Sequence, residues 1–199
     1  MESASPVYLK WRIINTESGI AEVTLVLPIL QENGQPELLL ETGIQVDNYP
    51  VLNQEFPWSS HDVVLFTRLF GHKVTKENQV TFELNLADPS VIEIINIVAS
   101  ARFSETIDLR QIDMSPGFQT QIKTVQLGEV VSINTDQGFK LAVVTALSLE
   151  DLSCVILEPF YEPDSHEYIS IHDVVRISRV NVLPAEFGTT LSNESDILH

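Results

Sequence analysis

From Val7 to Ile13 apolar and polar residues alternate without a break, placing Val7, Leu9, Trp11 and Ile13 on one face and Tyr8, Lys10 and Arg12 on the other. Alternation with period two is the pattern of a half-buried β-strand. Thr16 to Gly19 then turns the chain into Ile20–Leu30, and Asn33-Gly34 with Pro36 separates that run from Glu37–Val46. The first fifty residues therefore predict an antiparallel β-meander. Asp47 to Trp58 reads as loop. After it the period changes: Val63, Phe66, Leu69 and Phe70 recur at helical spacing between Ser59-Ser60-His61-Asp62 and Gly71, which predicts a short helix near 60–70, capped by Ser and Asp62 and stopped by the glycine. Val80, Phe82, Leu84 and Leu86 alternate again as a strand, with Phe82, like Trp11, a core residue. Asp88-Pro89 supplies an N-cap and a first helical residue for a second helix over 89–102, on which Glu93, Asn96 and Ser100 form a narrow polar stripe. Ile107–Ile112 reads as one more strand.

Met114-Ser115-Pro116-Gly117 is the strongest internal punctuation, so the expected boundary separates a β-rich domain, 1–115, from a second unit, 118–184, with a polar tail over 185–199. In the second unit Gln121–Leu127, Glu129–Asn134, Phe139–Leu147, Leu152–Leu157 and Tyr168–Val182 are apolar-rich runs, with Thr135–Gly138 as a hairpin turn. Five short strands in roughly 65 residues predict a small closed or partly open β-barrel, the architecture shared by SH3-like, Sm-like and OB-type modules. The expected fold class is mainly β, of the α+β kind.

Composition adds partners and exclusions. A chain of 199 residues can bury about 70% of its surface without disulfide staples. Its 28 acidic and 11 basic residues leave a net charge of −17. Such a surface repels phosphate, and no cluster of three Lys or Arg offsets it, so nucleic acid and anionic membrane are poor partners whereas a basic protein surface or a divalent cation is attracted. Cys154 is the single cysteine, which excludes an intrachain disulfide, suits a reducing compartment and, amid Val155-Ile156-Leu157, reads as a packed hydrophobe. Met1–Pro6 lacks signal-peptide character and the longest apolar run, Val23–Leu30, is far too short to span a membrane. The expected location is the cytoplasm.

Catalytic motifs are missing. Neither Gly-x-Ser-x-Gly, a Walker A loop nor a dinucleotide fingerprint can be written, and the histidines lack zinc-binding spacing. Of two His-Asp dipeptides, His61-Asp62 is accounted for by the helix cap, while His172-Asp173 reads as a surface histidine beside an aspartate that starts a turn or pairs with Arg176. The informative stretch is Glu158-Pro159-Phe160-Tyr161-Glu162-Pro163-Asp164, where two aromatics sit in a proline-stiffened acidic connection. Aromatic anchors with flanking carboxylates point to a docking site for a basic protein partner, with Phe160, Tyr161, Glu162 and Asp164 as binding residues. The expected function is a non-enzymatic, acidic protein-interaction or assembly module without cofactor. The alternatives are a Ca²⁺-binding or buffering protein using Glu158, Glu162, Asp164 and Glu167, outside any EF-hand pattern, and an acidic nucleic-acid mimic suggested by charge alone.

Overall fold

The computed structural model describes residues 9–16, 19–28, 37–46, 53–74, 85–110, 125–163 and 166–185. β1 (Lys10–Asn15) pairs antiparallel with β2 (Ala21–Pro28) in a register that sets Trp11 opposite Leu25 and Ile13 opposite Val23. All four are buried, as the alternation requires. β3 (Glu37–Gln45) extends the meander beside β2, and β4 (Glu55–Pro57) pairs with β1 to give the order β3-β2-β1-β4. β4 falls in the stretch read as loop, because three residues are too few to display a period. On the outer face Arg12 bridges Glu37 at 2.7 Å and Glu55 at 2.5 Å.

α1 (Ser60–Val74) starts with a reciprocal cap: the Asp62 N–H donates to Ser59 Oγ at 3.1 Å and the Ser59 N–H to Asp62 Oδ2 at 2.8 Å. Gly71 does not end it. A terminating glycine adopts a left-handed conformation, whereas Gly71 has no positive φ and the helix continues to Val74. α2 (Pro89–Phe103) begins as expected, with Asp88 accepting from the Ser90 N–H at 2.9 Å and Pro89 in the first turn. Its polar stripe is only partly a solvent face: the Glu93 side chain is 45% exposed and bonds His172, whereas Asn96 Oδ1 and Ser100 Oγ are buried. The reason is that α2 is the middle layer. One core joins Trp11, Ile13 and Leu25 of the first sheet and Leu65 and Phe70 of α1 to Ile95 and Val98 of α2, and reaches Val143, Val155 and Val174 beyond it. A helix packed against elements on both sides keeps only a narrow solvent face for polar residues. The expected strand at Val80–Leu86, with Phe82, lies outside the described residues up to 84, and Leu86 is in a turn.

The remaining strands are β5 (Thr106–Asp108), β6 (Val130–Thr135), β7 (Gly138–Leu147), β8 (Asp151–Ile156), β9 (Phe160–Glu162), β10 (Glu167–Ile169), β11 (Val174–Ser178) and β12 (Val182–Pro184). Six of them form a sheet in the order β12-β6-β7-β8-β11-β5, and β9-β10 is a separate hairpin. The fold is mainly β with two helices, as expected. The pairings leave β12 and β5 as edges, so the sheet is open and no closed barrel forms among the described residues. Tyr168–Val182, read as one strand, is broken twice: His172 takes a φ of 70°, and a 3-10 turn occupies Arg179–Asn181. Val125 to Leu127 are not a strand, with 121–124 outside the described residues, and of the strand expected at Ile107–Ile112 only Ile107 and Asp108 lie in β5, Leu109 and Arg110 lie outside it, and 111–112 are outside the described residues. β5 runs parallel to β11, setting Ile107 opposite Val175. A strand that precedes Pro116 thus joins the sheet that follows it, while the linking residues, 111–124, lie outside the described ones.

A second core fills the sheet face turned away from α2. Val131, Ile133, Val144, Leu152, Ile156 and Ile177 meet there under a roof made by Phe160 and Ile169 of the β9-β10 hairpin. Cys154 is packed among them, and burial pushes its thiol up to about 12. Among the described residues no helix is long and apolar enough to cross a membrane.

Arg102, at the end of α2, reaches back to Asp62 of α1. Asp62 is 2% exposed and accepts from Arg102 Nη1 and, at 3.3 Å, from Trp11 Nε1, while Arg102 also donates to the Pro57 carbonyl at 3.0 Å. Its guanidinium lies over the rings of Phe56 and Phe103, 5.9 and 5.3 Å from their centroids. Removing one member of a buried pair costs about 3–5 kcal/mol. Because Arg102 keeps 24% of its side chain exposed, Arg102→Ala is expected to lose about 2–4 kcal/mol, measured by denaturant melting. A loss below about 1 kcal/mol would show that the pair does not hold the two helices.

Candidate functional site

The β9-β10 hairpin carries the residues singled out by sequence. Antiparallel register sets Phe160 opposite Ile169, Tyr161 opposite Tyr168 and Glu162 opposite Glu167. Alternation then divides them. Phe160 and Ile169 point into the second core and are buried, whereas Tyr161 and Tyr168 are 40% and 64% exposed on the outward face. Cross-strand partners stand about 4.5–5.5 Å apart at Cβ, so the two tyrosines are neighbours on the outward face. Tyr168 was invisible as a site residue because its own neighbours read as an ordinary strand. Only its pairing with Tyr161 sets it beside a residue the sequence singles out.

The hairpin is tied to its surroundings at several points. The Tyr161 N–H donates to Gln137 Oε1 at 3.4 Å, and the Leu141 N–H donates to Glu158 Oε2 at 3.1 Å. Its connection carries His166 at a φ of 58°, with Nδ1 against the Pro163 carbonyl. Of the four expected binding residues, then, Tyr161 reaches the surface, Phe160 roofs the core, Glu162 is turned inward at 2% exposure, and Asp164 lies outside the described residues.

Of the expected Ca²⁺ set, Glu158, Glu162, Asp164 and Glu167, three are described. Glu158 is engaged with the β7 backbone, Glu162 and Glu167 stand opposite each other on one face of the hairpin with Glu162 buried and Glu167 exposed, and Asp164 is not among the described residues. Among those that are, no three His, Cys, Asp or Glu side chains come together as a metal site. The second His-Asp dipeptide has a structural account. Asp173 Oδ2 accepts from the Ser170 N–H at 2.6 Å, forming a turn, and Arg176 is not its partner. His172 Nε2 lies 2.9 Å from Glu93 Oε1, joining the β10-β11 turn to α2.

The hydrogen bond from His172, helped by its charge and opposed by burial, lowers the Glu93 carboxyl below its usual 4.5. A carboxyl depressed in the folded state adds stability above its unfolded value, and that contribution is lost as pH falls through the lower folded value. Melts stepped downward from pH 4.5 should therefore show wild type losing stability more steeply than His172→Ala. Parallel curves would show that the contact does not couple to folding.

The division of the hairpin is equally measurable. Phe160→Ala should cost about 3–5 kcal/mol, whereas Tyr161→Ala with Tyr168→Ala should shift the melting temperature by no more than about 2 °C. A large loss in the double variant would show that the tyrosines support the roof. As for relatives, the sequence matches no protein-family model, and no curated protein is significantly similar to it.

Proposed function

We propose that the protein is a non-enzymatic interaction module that docks a basic protein partner on the outward face of the β9-β10 hairpin, with Tyr161 and Tyr168 as anchors. The observation that carries this reading is the directly opposed, exposed tyrosine pair on a ribbon whose other face, Phe160 and Ile169, is locked into the core. Tyrosine supplies large contact area at small conformational cost, and a ribbon already held in place loses little entropy when a partner arrives. Exposed Glu158 and Glu167 on a chain of charge −17 favour a cationic approach, and Lys or Arg side chains can lie over the phenol rings. In this reading residues 118–184 act as a small, partly open barrel that presents the hairpin, in the cytoplasm.

Affinity capture from the source cell, run in parallel with wild type, Tyr161→Ala/Tyr168→Ala and Glu167→Lys, tests the reading. The expected result is a set of proteins retained by wild type at low salt, lost with the double tyrosine variant and weakened at high salt and by Glu167→Lys. An identical set on all three, with the variants melting normally, would place the docking surface elsewhere.

A further inference from the structure

α2 covers only part of the second sheet. Val143, Val155 and Val174 lie beneath it, whereas two positions further along β8 and β11 the same face carries half-buried Ser153 and exposed Arg176. There the register aligns Ala146 of β7, Ser153 of β8, Arg176 of β11 and Asp108 of β5 in one row across four strands. A bulge between Val144 and Ala146 keeps Ala146 in this row. Small residues beside a long one leave a hollow, and a concavity of about 280 Å³ is lined here by Ala146, Leu147, Ser148, Asp151, Ser153 and Arg176.

Asp108 stands opposite Arg176, yet its carboxylate is taken. Arg110 grips it with Nε to Oδ1 at 2.8 Å and Nη2 to Oδ2 at 2.5 Å, and turns Nη1 to Asp151 at 3.3 Å. That fork, with a smaller contribution from the charge of Arg176, holds the Asp108 carboxyl down at about 2. Arg176 is left with no ion pair among the described residues. Beside the hollow, Leu149 is 96% exposed at the tip of the β7-β8 turn, with Leu147 and Val180 also exposed. The tip is not slack. The Ser148 N–H donates to the Asp151 carbonyl at 3.0 Å, the Arg179 N–H to the Glu150 carbonyl at 3.0 Å, and Arg179 Nε and Nη2 to the Ser148 carbonyl at 2.9 and 2.6 Å. An exposed leucine on a braced turn is pre-organised as an apolar contact.

We propose that this hollow is a second docking site, for an extended protein segment that places an aspartate or glutamate carboxylate on Arg176 and an adjacent aliphatic side chain against Leu149. The planar guanidinium matches a carboxylate through two parallel hydrogen bonds, and the small floor at Ala146 and Ser153 leaves room for it. Arg110, Arg176 and Arg179 balance Asp108, Glu150 and Asp151 locally. More distant negative charges are screened beyond about 8 Å at physiological salt, so a carboxylate approaches this part of an acidic protein without a large opposing field. The site therefore selects a partner of the opposite charge character from that favoured by the tyrosine pair.

The test uses the full isotope-labelled chain titrated with acetyl-Leu-Glu-Leu-amide and acetyl-Leu-Gln-Leu-amide, read by amide NMR shifts. The Glu peptide should move Ala146, Leu149 and Ser153 saturably and bind roughly tenfold more tightly than the Gln peptide. Arg176→Gln should abolish that preference, Arg176→Lys should retain part of it, and Leu149→Ser should weaken both peptides alike with an unchanged melting temperature. Equal affinity for the two peptides, a preference that survives Arg176→Gln, or no movement at several millimolar Glu peptide would overturn the proposal.

Discussion

A carboxylate withdrawn from water must find donors nearby, and Asp62 finds three: the Ser59 N–H of its own cap, the Trp11 indole of β1 and the Arg102 guanidinium of α2, all on Oδ2. An ionised group so placed is tolerable only while its partners stay put. It therefore fixes the first sheet, the start of α1 and the end of α2 against one another. Arg102 extends the constraint to the Pro57 carbonyl and to the Phe56 and Phe103 rings. Trp58 stacks on Trp11 with centroids 5.3 Å apart. Polar specificity and aromatic packing are thus concentrated at one junction, and the aliphatic core spreads outward from it.

With α2 held at that junction, its apolar sides serve both sheets. The helix contributes Ile94, Ile95, Ile97 and Val98 to a core that contains strand residues from either side. What it covers and what lies beyond it then decide the character of the second sheet's surface. Under the helix the row is Val143, Val155 and Val174; past its reach the row becomes Ala146, Ser153 and Arg176. On the other face the same logic operates through the β9-β10 hairpin. Burying Phe160 and Ile169 obliges Tyr161 and Tyr168 to face outward, because successive residues of a strand cannot share a side.

The two exposed surfaces differ in chemistry although both belong to one strongly acidic chain. Net charge sets the long-range field, which favours cations near the tyrosines. Arrangement sets the short-range one: Arg110 pairs with Asp108 and Asp151, and Arg176 forms no ion pair among the described residues. A single formal charge of −17 is thus compatible with opposite local preferences.

The sequence by itself determined the elements with clear periods and caps. Trp11 and Ile13 as a buried face, the Ser59–Asp62 cap, the Asp88-Pro89 start of α2, the Thr135–Gly138 turn, Cys154 as a core residue and the mainly β class were all legible, because each follows from neighbours within a few positions. The tertiary structure alone decided the rest. Nothing near Asp62 signals Arg102, forty residues away. Asn96 and Ser100 resemble part of a solvent face until the packing of α2 is seen to bury them, and β4 and β5 are too short to show a period. Within Phe160-Tyr161 the sequence supplied two aromatics, and only the register with β10 determined which one is core and which is surface. Local steric and hydrogen-bonding preferences are written in adjacent residues, whereas burial depends on what distant segments bring against a face, and that is settled when the chain packs.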